Sequence, residues 1–152
     1  MRGAEGSGED FYHAALTADL HAALASPRFA RFRDIYVLGY SLGGHLTLCL
    51  GAEPCDPRVR AVAAVCSPID LARSAWAMDQ PARAPYRHYV LRKLKACYAQ
   101  VAQRRELPTP ARRVLQVRSI REWDACAVVP RHGIASTDDY YAQASAAPRL
   151  PT

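Results

Sequence analysis

The stretch RDIYVLGYSLGGHLTLCLG, Arg33 to Gly51, constrains the fold more than any other. Ile35 to Leu38 is a compact β-rich run, continuous rather than alternating, as parallel strands buried on both faces tend to be. It leads through Gly39-Tyr40-Ser41-Leu42-Gly43 into Leu42 to Leu50, which is apolar nearly all round and therefore predicts a buried helix. A strand that becomes a helix within two residues needs a sharp bend. Glycines two before and two after Ser41 remove side chains where helix and strand come close. GAEPCDP breaks the helix, and Val59 to Cys66 repeats the buried-strand pattern before Ser67-Pro68. Strand, helix, strand in this order is one parallel βαβ unit with a right-handed crossover.

The flanks read differently. Residues 1–10 are small, polar and glycine-rich, a loop or frayed terminus. Phe11 to Ala25 predicts a helix with Leu16, Leu20 and Leu24 on one face, closed by Ser26-Pro27. Beyond the second strand, Ile69–Met78 and Tyr86–Val101 read as helices. Tyr86, Val90, Leu94, Cys97 and Val101 mark the buried face of the latter, and Arg87, Arg92, Lys93 and Lys95 a solvated one. RRELPTPARR is a proline-broken loop, and Ser119–Trp123 a helical turn. Ser136 caps a helix over Thr137–Ala146, with Asp138 and Asp139 in its dipole-favoured first turn. Two strands covered on both faces leave two unpaired edges and need more layers than these helices supply. The pattern is the middle of a larger sheet, and the chain alone is expected to aggregate or to need a missing segment or partner chain to fold.

Composition narrows the function classes. The 152 residues carry a net charge of +6, with no block of like charge longer than two, so a nucleic-acid role is not expected. Five cysteines, odd in number and without a Cys-x-x-Cys pair, argue against a disulfide framework or a zinc site. Cys49 and Cys66 lie in apolar runs, where a thiol acts as a small hydrophobe. MRGAEGSGED lacks the basic-then-apolar pattern of a signal peptide, and the longest apolar run, Ala61–Cys66, cannot cross a bilayer. A cytoplasmic location is the expectation.

The chemistry centres on Ser41. Gly-x-Ser-x-Gly between a strand and a helix is the nucleophile-elbow pattern, which lifts the serine hydroxyl above the strand end. The helix N-terminus behind it carries partial positive charge, and the Leu42 N–H would face the oxyanion of a tetrahedral intermediate. The competing reading is a tight turn with a surface serine. A serine hydroxyl also needs a base within hydrogen-bond reach, oriented by a third group. His45, one turn into the helix, reads as a core or helix-surface histidine, and His88 as solvated. His132 with Asp124 has the right order but no strand to hold it. Capping accounts for Asp138 and Asp139, the Ser-Pro turn accounts for Asp70, and His13 and His21 lack metal-ligand spacing.

GYSLGG, then AVCSPIDL, then REWD and STDDYYAQAS after a basic helical segment, resemble the YheT-type branch of the α/β-hydrolases. YHAALTADL resembles the helix before its elbow strand. The resemblance spans nearly all of residues 11–147, though His45 stands where that branch usually has Asn. It implies a partial α/β-hydrolase: one incomplete domain over 1–152, with a βαβ core at 11–68, a helical cap-like insertion at 69–147, and N- and C-terminal sheet strands missing. The chain stops at RLPT, about where the family's strands bearing its catalytic Asp and His begin, so no acid or base carries over. The implied function is ester hydrolysis, or acyl transfer to an alcohol, through Ser41 and Leu42, on a small ester with an apolar part and without cofactor or metal. The alternative is a non-catalytic relative acting as a binding or interaction module.

Overall fold

Strands β1 (Ile35–Tyr40) and β2 (Val59–Val65) pair in parallel in a two-stranded sheet, with helix α2 (Leu42–Gly51) as the crossover between them. The computed structural model describes residues 10–150. The glycine-rich start, expected to be a loop, lies outside the described residues, Asp10 excepted. The described residues form two compact units, one of 14–70 with 144–150 and one of 10–13 with 71–143.

In the sheet unit, α1 (Ala18–Leu24) and α2 close a small core of Leu24, Ile35 and Leu50, with Leu20, Val37, Cys55 and Val59 packed on it. Arg58 ties the entry of β2 to the preceding segment. Its guanidinium donates to the carbonyls of Leu24 (2.9 Å) and Phe29 (2.6 Å) and to the Asp56 carboxylate (2.6 Å). That pairing holds the Asp56 carboxyl at about 2.

Within this chain the two strands are covered on one face only, as expected of helices too few to cover both. Side chains alternate across a strand, and Tyr36, Leu38 and Tyr40 are 73, 58 and 64% exposed, with Ala61, Ala63 and Val65 beside them also exposed. The Ile35 and Gly39 face is buried. The continuous apolar run thus gives one covered face and one open one. Cys66 departs from expectation: it is exposed just beyond β2 with a positive φ of 52°, whereas Cys49 is fully buried.

The helical unit holds α3 (Leu71–Asp79), α4 (Ala84–Ala102), α5 (Ala111–Val114), α6 (Ile120–Trp123), a π-helical stretch (Asp124–Val128), α7 (Val129–His132) and α8 (Thr137–Ala144). Its aromatic core sets Phe11, Tyr98 and Trp123 with ring centroids 5.3–6.1 Å apart, and the Tyr98 hydroxyl donates to the Thr109 carbonyl (2.7 Å). Burial of Phe11 here explains why the predicted helix from Phe11 begins only at Ala18. The Phe11 amide donates to Asp10, whose carboxylate is gripped by Arg131 (2.6 Å), so this stretch is anchored away from a helical path.

Along α4 the buried residues are Leu91, Tyr98 and Val101, and Tyr86 is exposed, so the buried stripe is rotated from the expected one. Ser119 and Glu122 form a reciprocal capping box at α6. Ser136 caps α8 through the Asp139 amide (3.0 Å), and Arg121 holds Asp138 with both contacts at 2.8 Å. The helical run over 124–132 has no clear signature in the sequence, because Pro130 masks its pattern. Pro130 lies within this continuous run, just after the π-helical stretch, and Gly133 ends it in the left-handed region.

Candidate active site

Ser41 joins β1 to α2 at φ 52°, ψ −126°, a conformation other than the left-handed helical well. Such geometry on a non-glycine residue costs about 1–3 kcal/mol and persists only where its surroundings enforce it. The enforcement is visible on both sides. The Ser41 amide continues the parallel ladder by donating to the Val65 carbonyl (3.0 Å), while its carbonyl accepts from the His45 amide (3.1 Å) as the first turn of α2. The residue belongs to strand and helix at once. Its side chain makes no capping bond and is exposed. The Leu42 N–H is among the amides that a helix leaves without an internal acceptor.

The glycines divide their work differently from the motif's spelling. A Cβ on Gly39 would lie 2.4 Å from the Gly43 carbonyl oxygen and 2.5 Å from Thr47 Oγ1, so β1 and α2 touch there with no room for a methyl. On Gly44 it would meet the Gly39 oxygen at 2.9 Å, whereas on Gly43 it meets nothing within 4 Å. Crowding therefore falls on Gly39 and Gly44. The expected role of Gly43 in relieving a clash is not seen, because α2 turns Gly44 rather than Gly43 onto the strand.

Both imidazoles of the sheet unit are engaged away from Ser41. His45 is fully buried, with Nδ1 2.9 Å from the Pro68 carbonyl and Nε2 2.8 Å from the Ala144 carbonyl, so it is a core histidine, as its place in the helix suggested. His21 Nε2 pairs with Glu53 (3.2 Å). In the helical unit, Asp124 and His132 are not joined. Asp124 accepts the Tyr141 hydroxyl (2.7 Å), and the His132 ring lies tilted against His13, centroids 4.2 Å apart.

Burial pushes the Asp124 carboxyl up to about 7, against the opposing hydrogen bond from Tyr141, and burial raises the Tyr141 hydroxyl as well. A carboxyl that binds its proton more tightly folded than unfolded favours the fold while protonated. That stability is fully present below the unfolded value of 3.8 and is lost as pH rises towards 7. Asp124→Asn is expected to remove most of this loss, giving a variant more stable than the parent by roughly 2–4 kcal/mol at pH 8 and no more stable at pH 4. Urea midpoints at the two pH values check it; a parent whose stability is flat from pH 4 to 7 contradicts it.

A family model for the alpha/beta hydrolase family matches residues 1–151. The chain belongs to the alpha/beta hydrolase family. Over 116 residues, 74% of the chain, this hydrolase-family chain is 38% identical to "Putative esterase YheT" of Escherichia coli (strain K12). The aligned stretch covers 34% of that protein, so the chain spans about a third of its curated relative's length. No solved structure matches. The strained Ser41 junction falls within the family match. Among the described residues of this α/β-hydrolase chain, no helix is long and apolar enough to cross a membrane.

Proposed function

We propose that this α/β-hydrolase chain supplies the nucleophile and one oxyanion donor of a serine hydrolase acting on carboxylic esters. The observation that carries the reading is the Ser41 backbone: a non-glycine residue held at φ 52°, ψ −126° at a helix start, with its hydroxyl making no capping bond. Local strain of this kind is stored where a side chain must be presented. The hydroxyl oxygen attacks the ester carbonyl while a base takes its proton, and the Leu42 N–H stabilises the tetrahedral oxyanion. Collapse expels the alcohol and leaves an acyl-serine. Water then releases the acid, or a second alcohol takes the acyl group. Tyr40, Leu42 and Val65, all exposed around the serine, favour an ester with an apolar part.

The second reading is a non-catalytic interaction module. It draws on the engagement of His21 and His45, which leaves the base to come from outside those two residues. A fluorophosphonate probe separates the two. The enzyme reading expects one label per chain, on Ser41, absent from Ser41→Ala, in which the backbone conformation and thermal transition are unchanged because alanine bears the same strain. A folded parent that takes no label supports the module.

A further inference from the structure

We propose that the helical unit carries a second ligand site, for a small amphiphile with an anionic head, carboxylate or phosphate, on an apolar body. The inference does not rest on the ester reading or on Ser41.

A cavity of about 820 Å³ lies along one stripe of α4, where Arg87, His88, Leu91, Arg92 and Lys95 recur at three- and four-residue spacing. Leu115, Val117 and Arg118 form its opposite wall. The volume is within the range of small-molecule sites, which are typically about 300–1,000 Å³. The basic face of α4, expected to be a solvated side, is thus partly the wall of a cavity that apolar residues also line.

Two of its cations are built in rather than free to swing. Arg87 Nη1 donates to the carbonyls of Met78 (3.1 Å) and Gln80 (3.2 Å), which fixes the guanidinium and leaves its Nε and Nη2 hydrogens to point elsewhere. Lys95 Nζ donates to the Val117 carbonyl (2.6 Å), clamping the 115–118 segment to α4. Arg92 lies 6.0 Å from the Tyr89 ring, and among the described residues neither its guanidinium nor that of Arg118 forms an ion pair with a carboxylate, although the Arg118 backbone amide donates to Glu122.

Basic residues outnumber acidic ones around the cavity, although Arg121 and Arg105 meet Asp138 and Asp10. From Gln80 to Arg121 the sequence holds eleven Arg and Lys and one carboxylate, Glu106. The acids that flank this span accept from backbone amides, that of Arg118 included, or pair with Arg121, Arg131 and Tyr141. Asp79 accepts the amides of Ile120 (2.7 Å) and Arg121 (3.2 Å), and Glu122 accepts those of Arg118 (2.6 Å) and Ser119 (3.3 Å). Asp138 holds Arg121, Asp10 holds Arg131, and Asp124 is buried against Tyr141. In the sheet unit, by contrast, Arg58 and Arg60 are each paired with an aspartate. Like charges gathered round one cavity repel, and an anion relieves that repulsion. The apolar lining by Leu91, Leu115 and Val117 adds a demand that a bare anion cannot meet.

Calorimetric titration of the full chain at low salt, with ten-carbon amphiphiles below their micelle concentrations, tests this. Decanoate and decyl phosphate are expected to bind at least tenfold more tightly than decyl glucoside or inorganic phosphate, and the stronger of the two names the head group. Arg92→Glu with Arg118→Glu should weaken them at least tenfold. Lys93→Glu, the same change on the same helix outside the cavity lining, should weaken them less than twofold. If the double reversal unfolds the chain, Arg92→Ala should still cost at least threefold. Equal affinity for the neutral glucoside, inorganic phosphate binding as well as decyl phosphate, equal losses in the lining and control variants, or binding to phosphatidylglycerol vesicles alone would each overturn the site.

Discussion

Gly39→Ala is expected to unfold the sheet unit, lowering stability by about 3 kcal/mol or more. The new methyl would sit 2.4 Å from a backbone oxygen and 2.5 Å from Thr47 Oγ1. Thr47 cannot simply swing aside, because its hydroxyl donates to the same Gly43 carbonyl (2.9 Å) and its side chain is buried. The overlap is relieved only by moving α2 off β1, which breaks the packing on which the Ser41 bend depends. Gly44→Ala, with its closest approach at 2.9 Å, should cost about 1–3 kcal/mol. Gly43→Ala should be neutral or stabilising by up to about 1 kcal/mol, since it meets no neighbour and alanine suits a helix better than glycine. Urea midpoints followed by circular dichroism rank the three. Equal effects at Gly39 and Gly43 would mean that contact between β1 and α2 does not shape the elbow.

His45→Ala should lower stability by about 3–5 kcal/mol, by two additive routes. It empties a fully buried site, and it removes the ring that bridges the Pro68 and Ala144 carbonyls, leaving both without that partner. Pro68 follows the exit of β2 and Ala144 ends α8, so the imidazole connects segments distant in sequence to the helix behind Ser41. The measurement is the unfolding midpoint together with amide exchange over residues 42–51 and 67–70. Exchange there should quicken more than in α4. A loss below 1 kcal/mol would mean that the ring is replaceable filler.

The alternation of apolar runs and breakers was enough to locate β1, α2 and β2 within two residues, because each is a local pattern with a physical period. The serine between two glycines was equally legible, since a strand that becomes a helix so abruptly tolerates few other residues. The capping residue Ser136 was readable for the same reason: a cap is a bond between near neighbours. Three features were not. Gly44 rather than Gly43 carries the crowding, which depends on how α2 is rotated against β1. Which of the two strand faces is covered in this chain was not readable, because continuous hydrophobicity marks both faces alike. The rotated buried stripe of α4, and the cavity that its basic residues line, depend on where the 115–118 segment crosses the helix.

The sequence by itself determined the order of β1, α2 and β2, the bend at Ser41 and the excess of basic residues after Asp79, all properties of neighbouring residues along the chain. The tertiary structure alone decided which glycine touches backbone, that both nitrogens of His45 meet carbonyls, and which cations lack a carboxylate. Those are contacts between residues tens of positions apart, and a one-dimensional pattern records neither their distance nor their partner.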